Sequence, residues 1–282
     1  MQISEVHTVK GDVDFSTGNI RFKGSIKIYG TVKSGFEVHG DGTIEITGNV
    51  EDAIVTGGND VIVQGGCAGS GEGIVKAKRD VLVKFVENQR IEADRDIIIN
   101  GDSYHATLLA GRSVLAKGRK GTIVGGKCEA KSFVEANFFG SVALPATIIK
   151  IGIDPKLTEK LKIVESDIVK NQESIDQIEK SISFIYRQKI DANGVLPPDK
   201  QVLLEKLELA RKTMPDKLKT LINEKENLLK EQTYISKAYA MANKGVFPKV
   251  QVHIGNQRII TEDNLKPSKF RIVGGEVVRL SK

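Results

Sequence analysis

GSIKIYGTVKSGFEVHGDGTIEITGNVEDAIVTGGNDVIV (residues 24–63) is the stretch that decides the fold. Short triplets of alternating aliphatic character recur in it at residues 26–28, 36–38, 44–46, 53–55 and 61–63, with Gly, Asp or Asn between them. Working outward, the same unit returns at 74–76, 81–83, 91–93, 97–99 and 114–116. The triplets form two interleaved series, one through Ile44, Val61, Val81, Ile97 and Val114 and the other through Phe36, Ile54, Ile74 and Ile91. Within each series the unit repeats about every 17 residues, which is the signature of a solenoid. Three-residue strands are too short for a stable hairpin sheet, but stacked as coils each pairs with the coil above and below. The expected fold is mainly β: a right-handed parallel β-helix whose aliphatic side chains point inward and whose polar ones, such as Glu45 and Lys84, point outward.

A six-residue period competes with this reading, because Ile20, Ile26, Val32, Val38, Ile44 and Val50 are evenly spaced. A strict hexapeptide would imply a left-handed helix and an acyltransferase. The period then breaks at Ala68 and Asp80, and the later coils fall short of three full hexapeptides, which favours the right-handed form with variable coil length. Eight coils at about 4.8 Å each give a body on the order of 40 Å tall.

Glycine marks the domain boundary. Residues 1–154 hold 23 of the 28 glycines and residues 155–244 hold only Gly194, so two architectures share the chain. From Pro155 the apolar period becomes that of a helix: Leu157, Leu161, Val164, Ile168, Ile175, Ile178, Ile182 and Ile185 form a heptad seam, with Asn171 at one polar position. Asp154-Pro155 suits a helix start, and the turn at residues 191–194 followed by Pro197-Pro198 suits its end. A second seam runs through Leu207, Met214, Leu218, Leu221, Lys225, Leu228, Gln232 and Ile235, with a kink or short break expected at Pro215. The two helices are expected to form an antiparallel coiled-coil hairpin. At 1.5 Å per residue the first spans about 55 Å, long enough to project as an interaction arm. Alternation returns in Val250, Val252 and Ile254 and again at Phe270, Ile272, Val277 and Val278. The domains are therefore residues 1–153 (β-helix), 154–244 (inserted hairpin) and 245–282 (strands rejoining the β-helix).

Charge and composition exclude several functions. The net charge of +6 is spread as −1, +3 and +4 over residues 1–154, 155–244 and 245–282, without the concentrated basic face that nucleic-acid binding needs. Lys117, Arg119 and Lys120 form the one tight basic cluster of the first region, a possible contact for a partner or an anion. Aromatics are 5% of the chain, too few for a base-stacking or carbohydrate platform. No apolar run reaches the roughly 18 residues of a membrane span, no signal peptide is evident, and a cytoplasmic location follows as the default. Cys67 and Cys128 lie in no ligand spacing and read as buried packing residues.

Chemistry is hard to find. His7, His39, His105 and His253 are scattered, and none sits in a metal or nucleophile motif. His105, beside Asp102, Ser103 and Tyr104, is the best candidate for a hidden acid/base site. Residues 58–73 are glycine-rich but lack the Lys-Ser/Thr and the helix of a phosphate loop, and read as an enlarged corner. Asp94 and Asp96 could mimic the acidic cleft of a β-helical polysaccharide lyase. No catalytic residue, cofactor or metal is assigned.

The run at residues 11–58, with VKFVENQRIEA (83–93), GRKGTIVGGKCEA (118–130), the long hairpin and VQVHIGN (250–256), resembles the bacterial flagellar assembly protein A family over nearly the whole chain. Longer members carry a further N-terminal domain, so the chain is expected to be a short member or a portion of a longer one. The resemblance implies a cytoplasmic, non-enzymatic structural or regulatory role in flagellar assembly or polar organisation, with protein partners drawn from those processes, and a β-helix similar to that of bactofilin scaffolds. The combined reading is a scaffold or adaptor: a rigid β-helix and a coiled-coil arm that self-associates into a homo-oligomer and docks partners. The alternatives are a β-helix enzyme, either polysaccharide lyase or acyltransferase, and a bactofilin-like polymer.

Overall fold

The computed structural model describes residues 5–152, 155–191, 195–231 and 237–281. The chain forms two compact units, one of Met1–Pro155 with Thr233–Lys282 and the other of Lys156–Gln232.

The first unit is a parallel β-solenoid of about eight turns. Each turn has three faces. On the first, Val6–Val9, Ser25–Ile28, Ile44–Ile46, Val61–Val63, Val81–Val83, Asp96–Ile99, Ser113–Ala116 and the start of Phe133–Phe139 stack in parallel. The second face stacks Ile20–Phe22, Glu37–Gly40, Ile54–Gly57, Ile74–Ala77, Arg90–Ala93, Thr107–Ala110, Gly126–Ala130 and Thr147–Ile151. The third is narrow. It begins as single bridges through Val13, Val32, Val50 and Cys67 and continues through Val86–Glu87, Ser103–Tyr104 and Thr122–Val124.

Three faces explain both sequence periods. Ile20, Ile26, Val32, Val38, Ile44 and Val50 are successive inward residues of the second, first and third faces, one per face, and all are buried. The six-residue spacing is thus real in the early coils and is lost where corners shorten, as between Val50 and Val55, or lengthen. The two longest coils, from Val61 to Val81 and from Val114 to Val134, owe their extra length to one corner each, at positions 69–73 and 117–121. Two interleaved series were expected and three are present, because a face made of one inward valine per coil gives no triplet to read.

The first series keeps its expected register, but the second is corrected by one residue at two places. Glu37, not Phe36, opposes Ile54, and Arg90, not Ile91, opposes Ile74. Ile54 and Ile74 therefore point outward, and the inward column runs Val38, Val55, Val75, Ile91 and Leu108, each at most 1% exposed.

Each coil turns from its second face to the next first face in a tight corner, such as Asp94-Arg95 or Gly111-Arg112. The helical unit enters at one such corner, between Thr147–Ile151 and Tyr239–Val246. The solenoid resumes at Tyr239, ahead of the boundary expected at residue 245. Tyr239–Val246 pairs directly with Phe133–Phe139, and Val250–Ile254 with Thr147–Ile151, so stacking continues as if the insertion were absent. Its inward residues there are Ala240 and Ala242, too small for an aliphatic pattern to announce the return.

Antiparallel strands then end the stack. Gln257–Ile260 folds back on Val250–Ile254, Ser268–Val273 pairs with Tyr239–Val246, and Glu276–Ser281 closes on Ser268–Val273. Phe270 is fully buried in this closure. Thr261 Oγ1 accepts from the Val250 amide (3.0 Å) and donates to the Phe247 carbonyl (2.7 Å), so the buried hydroxyl is satisfied.

The second unit holds α1 (Pro155–Asp191) and α2 (Pro198–Glu231). They run antiparallel: Lys225 meets Glu165 at one end (2.9 Å), while Tyr186 donates to Glu208 (2.6 Å) and Lys200 to Gln188 (2.6 Å) toward the other. The Lys200 and Gln201 amides close on the Pro197 carbonyl, so Pro197 caps α2 and Pro198 occupies its first turn. No break occurs at Pro215, and the helical run continues through it. Asp154 and residues 192–194, expected at the helix ends, lie outside the described residues.

Candidate functional site

The hairpin carries the apolar seam. Leu161, Val164 and Leu228 are buried together, with Leu157 and Ile168 packed against them. Ile182 and Ile185 are buried nearer the tip, as is Leu196, while Ile175, Ile178, Leu207, Met214, Leu218 and Leu221 are half-buried. Ile235 and Gln232 lie outside the described residues. Asn171 is buried and donates to the Asp167 carbonyl of its own helix (2.8 Å), which satisfies the amide without a ligand. The opposite faces are not wholly polar. Phe184, Val202, Leu203 and Leu209 are exposed.

Lys117, Arg119 and Lys120 occupy the longer corner between the first and third faces, and all three are exposed. Lys244, two coils on, donates to the Arg119 carbonyl (3.0 Å) and lies over the Phe138 ring of the coil between, at 5.9 Å from its centre. Among the described residues, none of Lys117, Arg119 and Lys120 has an ion-pair partner. Cations in earlier coils do: Lys27 pairs with Glu45, Lys33 with Glu51 and Lys76 with Glu92.

Two ladders on the first face escaped the sequence reading. At its entry edge Arg79 pairs with Asp60, Arg95 with Asp80, and Arg112 with Asp96, each arginine reaching one coil back. Asp60 and Asp80 also accept the amides of Asp80 and Asp96 (3.1 Å each), and Ser113 Oγ donates to Asp96 at 2.6 Å. Asp96 is therefore a rung of a structural ladder. Burial opposes its ionisation, but Arg112 and Ser113 outweigh that and hold its carboxyl below the usual range. The signal was the Arg-Asp or Arg-Ser pair before successive strands, at residues 79–80, 95–96 and 112–113.

The second ladder is apolar. The outward position of the first face reads Lys27, Glu45, Ile62, Leu82, Ile98, Leu115 and Glu135 in strict register. Alternation thus fails over four consecutive coils, where half-buried aliphatic side chains replace polar ones on the outer surface. The middle residue of each triplet carried this signal.

Of the residues around His105, Tyr104 donates to the Asp102 carboxylate (3.4 Å). Ser103 is buried and points inward. The Asp102 carboxylate accepts from the Thr122 amide (3.0 Å) and hydroxyl (2.9 Å), and His105 stands in a left-handed backbone conformation (φ 50°) with its ring against Gly125. His253 faces Lys150 and Arg258; burial first, then those charges, lower its pKa.

The glycine-rich corner holds an anion of its own. Asp52 Oδ2 accepts the Ser70 amide (2.7 Å) and hydroxyl (2.8 Å), and Oδ1 accepts Gln89 Nε2 (2.9 Å) and the amides of Gly71, Glu72 and Gly73 (3.2–3.3 Å). The Ser70 amide is the strongest of the bonds that pull the Asp52 pKa down to about 2. Gly71 sits at φ 112°, which side-chain-bearing residues rarely adopt, and that conformation turns successive amides toward one point. Cys67 and Cys128 are free, buried thiols; burial raises both pKa values, that of Cys67 to about 12.

Among the described residues no cluster of His, Cys, Asp and Glu is placed to hold a metal, and no helix is long and apolar enough to cross a membrane. A stack of parallel coils, each pairing its strands with the coils above and below, defines the class of β-solenoid proteins. The family described as the Flagellar Assembly Protein A beta solenoid domain matches residues 5–277, and the chain belongs to it. No curated protein and no solved structure gives a significant match.

Proposed function

We propose that this protein is a non-enzymatic cytoplasmic adaptor of flagellar assembly or polar organisation, in which the solenoid is a rigid body and the hairpin a coiled-coil arm for self-association and partner docking. The observation that carries this reading is the insertion itself. Parallel pairing continues across it, from Phe133–Phe139 to Tyr239–Val246 with one bulge after Ala136 and from Thr147–Ile151 to Val250–Ile254 in unbroken register, so the helical unit adds nothing that coil stacking requires. Membership of a flagellar assembly family supports the biological setting. Engagement of Asp52, Asp96 and Asp102 in structural bonds favours an adaptor over a polysaccharide lyase. The antiparallel strands that close the C-terminal end favour it over a polymer built by continuous parallel end-to-end stacking.

The test replaces residues 157–231 by a Gly-Ser linker. The variant is expected to keep a strand-rich circular dichroism spectrum and a cooperative melt, while sedimentation shows that an oligomer formed by the full chain becomes a monomer. A full chain that sediments as a monomer at all concentrations, or a shortened variant that fails to fold, overturns this reading.

A further inference from the structure

The outer surface of the first face combines the apolar ladder with unpaired positive charge. Ile62, Leu82, Ile98 and Leu115 stack at the outward position of adjacent strands, so at about 4.8 Å per rung they form a ridge roughly 14 Å long. Two residues further along their strands, still on the outer surface, follow Gln64, Lys84, Asn100 and Lys117, all exposed. Arg119 and Lys120 continue this basic edge around the corner. Lys84, Lys117, Arg119 and Lys120 form no ion pair among the described residues, whereas Arg79, Arg95 and Arg112 on the opposite edge are each neutralised by an aspartate. The strip is thus apolar along its middle, electrically balanced on one side and cationic on the other.

We propose that this strip docks an acidic amphipathic α-helix of a protein partner. The backbone of these strands is already paired on both sides, so a partner cannot add as a strand and must bring its own satisfied hydrogen bonds, which a helix does. A ridge of roughly 14 Å matches about three helical turns, the length over which one apolar stripe stays on one face. Glutamate or aspartate beside that stripe meets the unpaired Lys84, Lys117, Arg119 and Lys120. Nucleic acid fits less well, because the middle of the strip offers aliphatic groups and no aromatic to stack on. The surface lies on the solenoid, so the inference goes beyond the hairpin reading and does not depend on it.

The probe is a fluorescent helical peptide of about 18 residues with four leucines on one face flanked by glutamates, compared with the same peptide carrying lysines in their place. By fluorescence anisotropy the full chain is expected to bind the glutamate peptide and not the lysine peptide. Binding should weaken about tenfold or more in Lys84→Gln/Lys117→Gln/Lys120→Gln, and equally in Leu82→Gln/Ile98→Gln. The same column carries Glu45 and Glu135 at other rungs, so polar residues are compatible with the fold there; should the second variant nevertheless misfold, the lysine variant decides alone. Failure of the glutamate peptide to bind up to about 1 mM, binding indifferent to the substitutions, or equal binding of both peptides overturns the proposal. So does tighter binding of anionic lipid vesicles or duplex DNA than of the peptide, or self-association of the chain that Leu82→Gln/Ile98→Gln abolishes.

Discussion

At the scale of the residue, Asp52 shows how a solenoid corner is held. Its carboxylate replaces the water that the amides of residues 70–73 would otherwise bind, and links them to Gln89 of the next coil. Asp52→Asn loses the charge and some of these acceptors, and about 2 kcal/mol of stability is expected to go with them, read by urea denaturation. The pH dependence has a definite sign. The folded pKa of about 2 lies below the unfolded value near 4, so this contribution is complete above about pH 4 and is lost as pH falls toward 2. In Asp52→Asn, the acid-induced drop in stability between those values should shrink. An unchanged acid profile would mean the corner is held by other groups. The composition of residues 58–73 is readable as a corner, but its organising acid is not, because Asp52 lies a full coil earlier in the chain.

At the scale of the element, the strands were legible and their third face was not. Ile44, Val61, Val81, Ile97 and Val114 announce the first face because two inward aliphatics flank one outward residue in each strand. Val13, Val32 and Val50 are single bridges between corners and form no triplet of their own, although Val32 and Val50 share in the six-residue spacing. The slip at Phe36 and Ile91 has a related cause: outward Ile54 and Ile74 look like core residues, and only pairing distinguishes them from Val55 and Val75. In the hairpin, Pro215 lacks an amide to donate within α2, and Pro215→Ala is expected to raise hairpin stability by about 1–3 kcal/mol, seen as a higher midpoint in a helix-selective melt at 222 nm. Lys225→Leu would put an aliphatic between Leu221 and Leu228 in place of a partly exposed ion pair with Glu165, which is worth little, and is expected to add to that gain.

At the scale of the whole molecule, stability is distributed along a stack in which each coil pairs its strands only with the coils next to it, and a few side chains, such as Gln89 on Asp52, reach across two. Ile97 is fully buried in a middle coil, and Ile97→Ala is expected to remove about 2–5 kcal/mol and lower the midpoint of the whole strand transition. If only local amides near residues 81–116 lost hydrogen-exchange protection, the coils would be independent rather than coupled. The division into a β part and a helical part was legible from glycine and apolar period. The functional surfaces were less so: the basic corner at Lys117, Arg119 and Lys120 stands out as sequence, while the apolar ridge beside it exists only once Ile62, Leu82, Ile98 and Leu115, each a full coil from the next, are brought into one column.

The insertion point also bears on biosynthesis. Phe133 waits for a partner, Tyr239, that is made only after both helices, although the added loop-closure penalty relative to an ordinary coil is under about 2 kcal/mol. While a ribosome is still translating the helices, the coils made earlier end in bare strand edges at Phe133–Phe139 and Thr147–Ile151. Nascent chains on one polysome would therefore be open to cross-pairing at this rung, and slow or stalled elongation between residues 155 and 239 should favour aggregation more than a stall at any earlier corner.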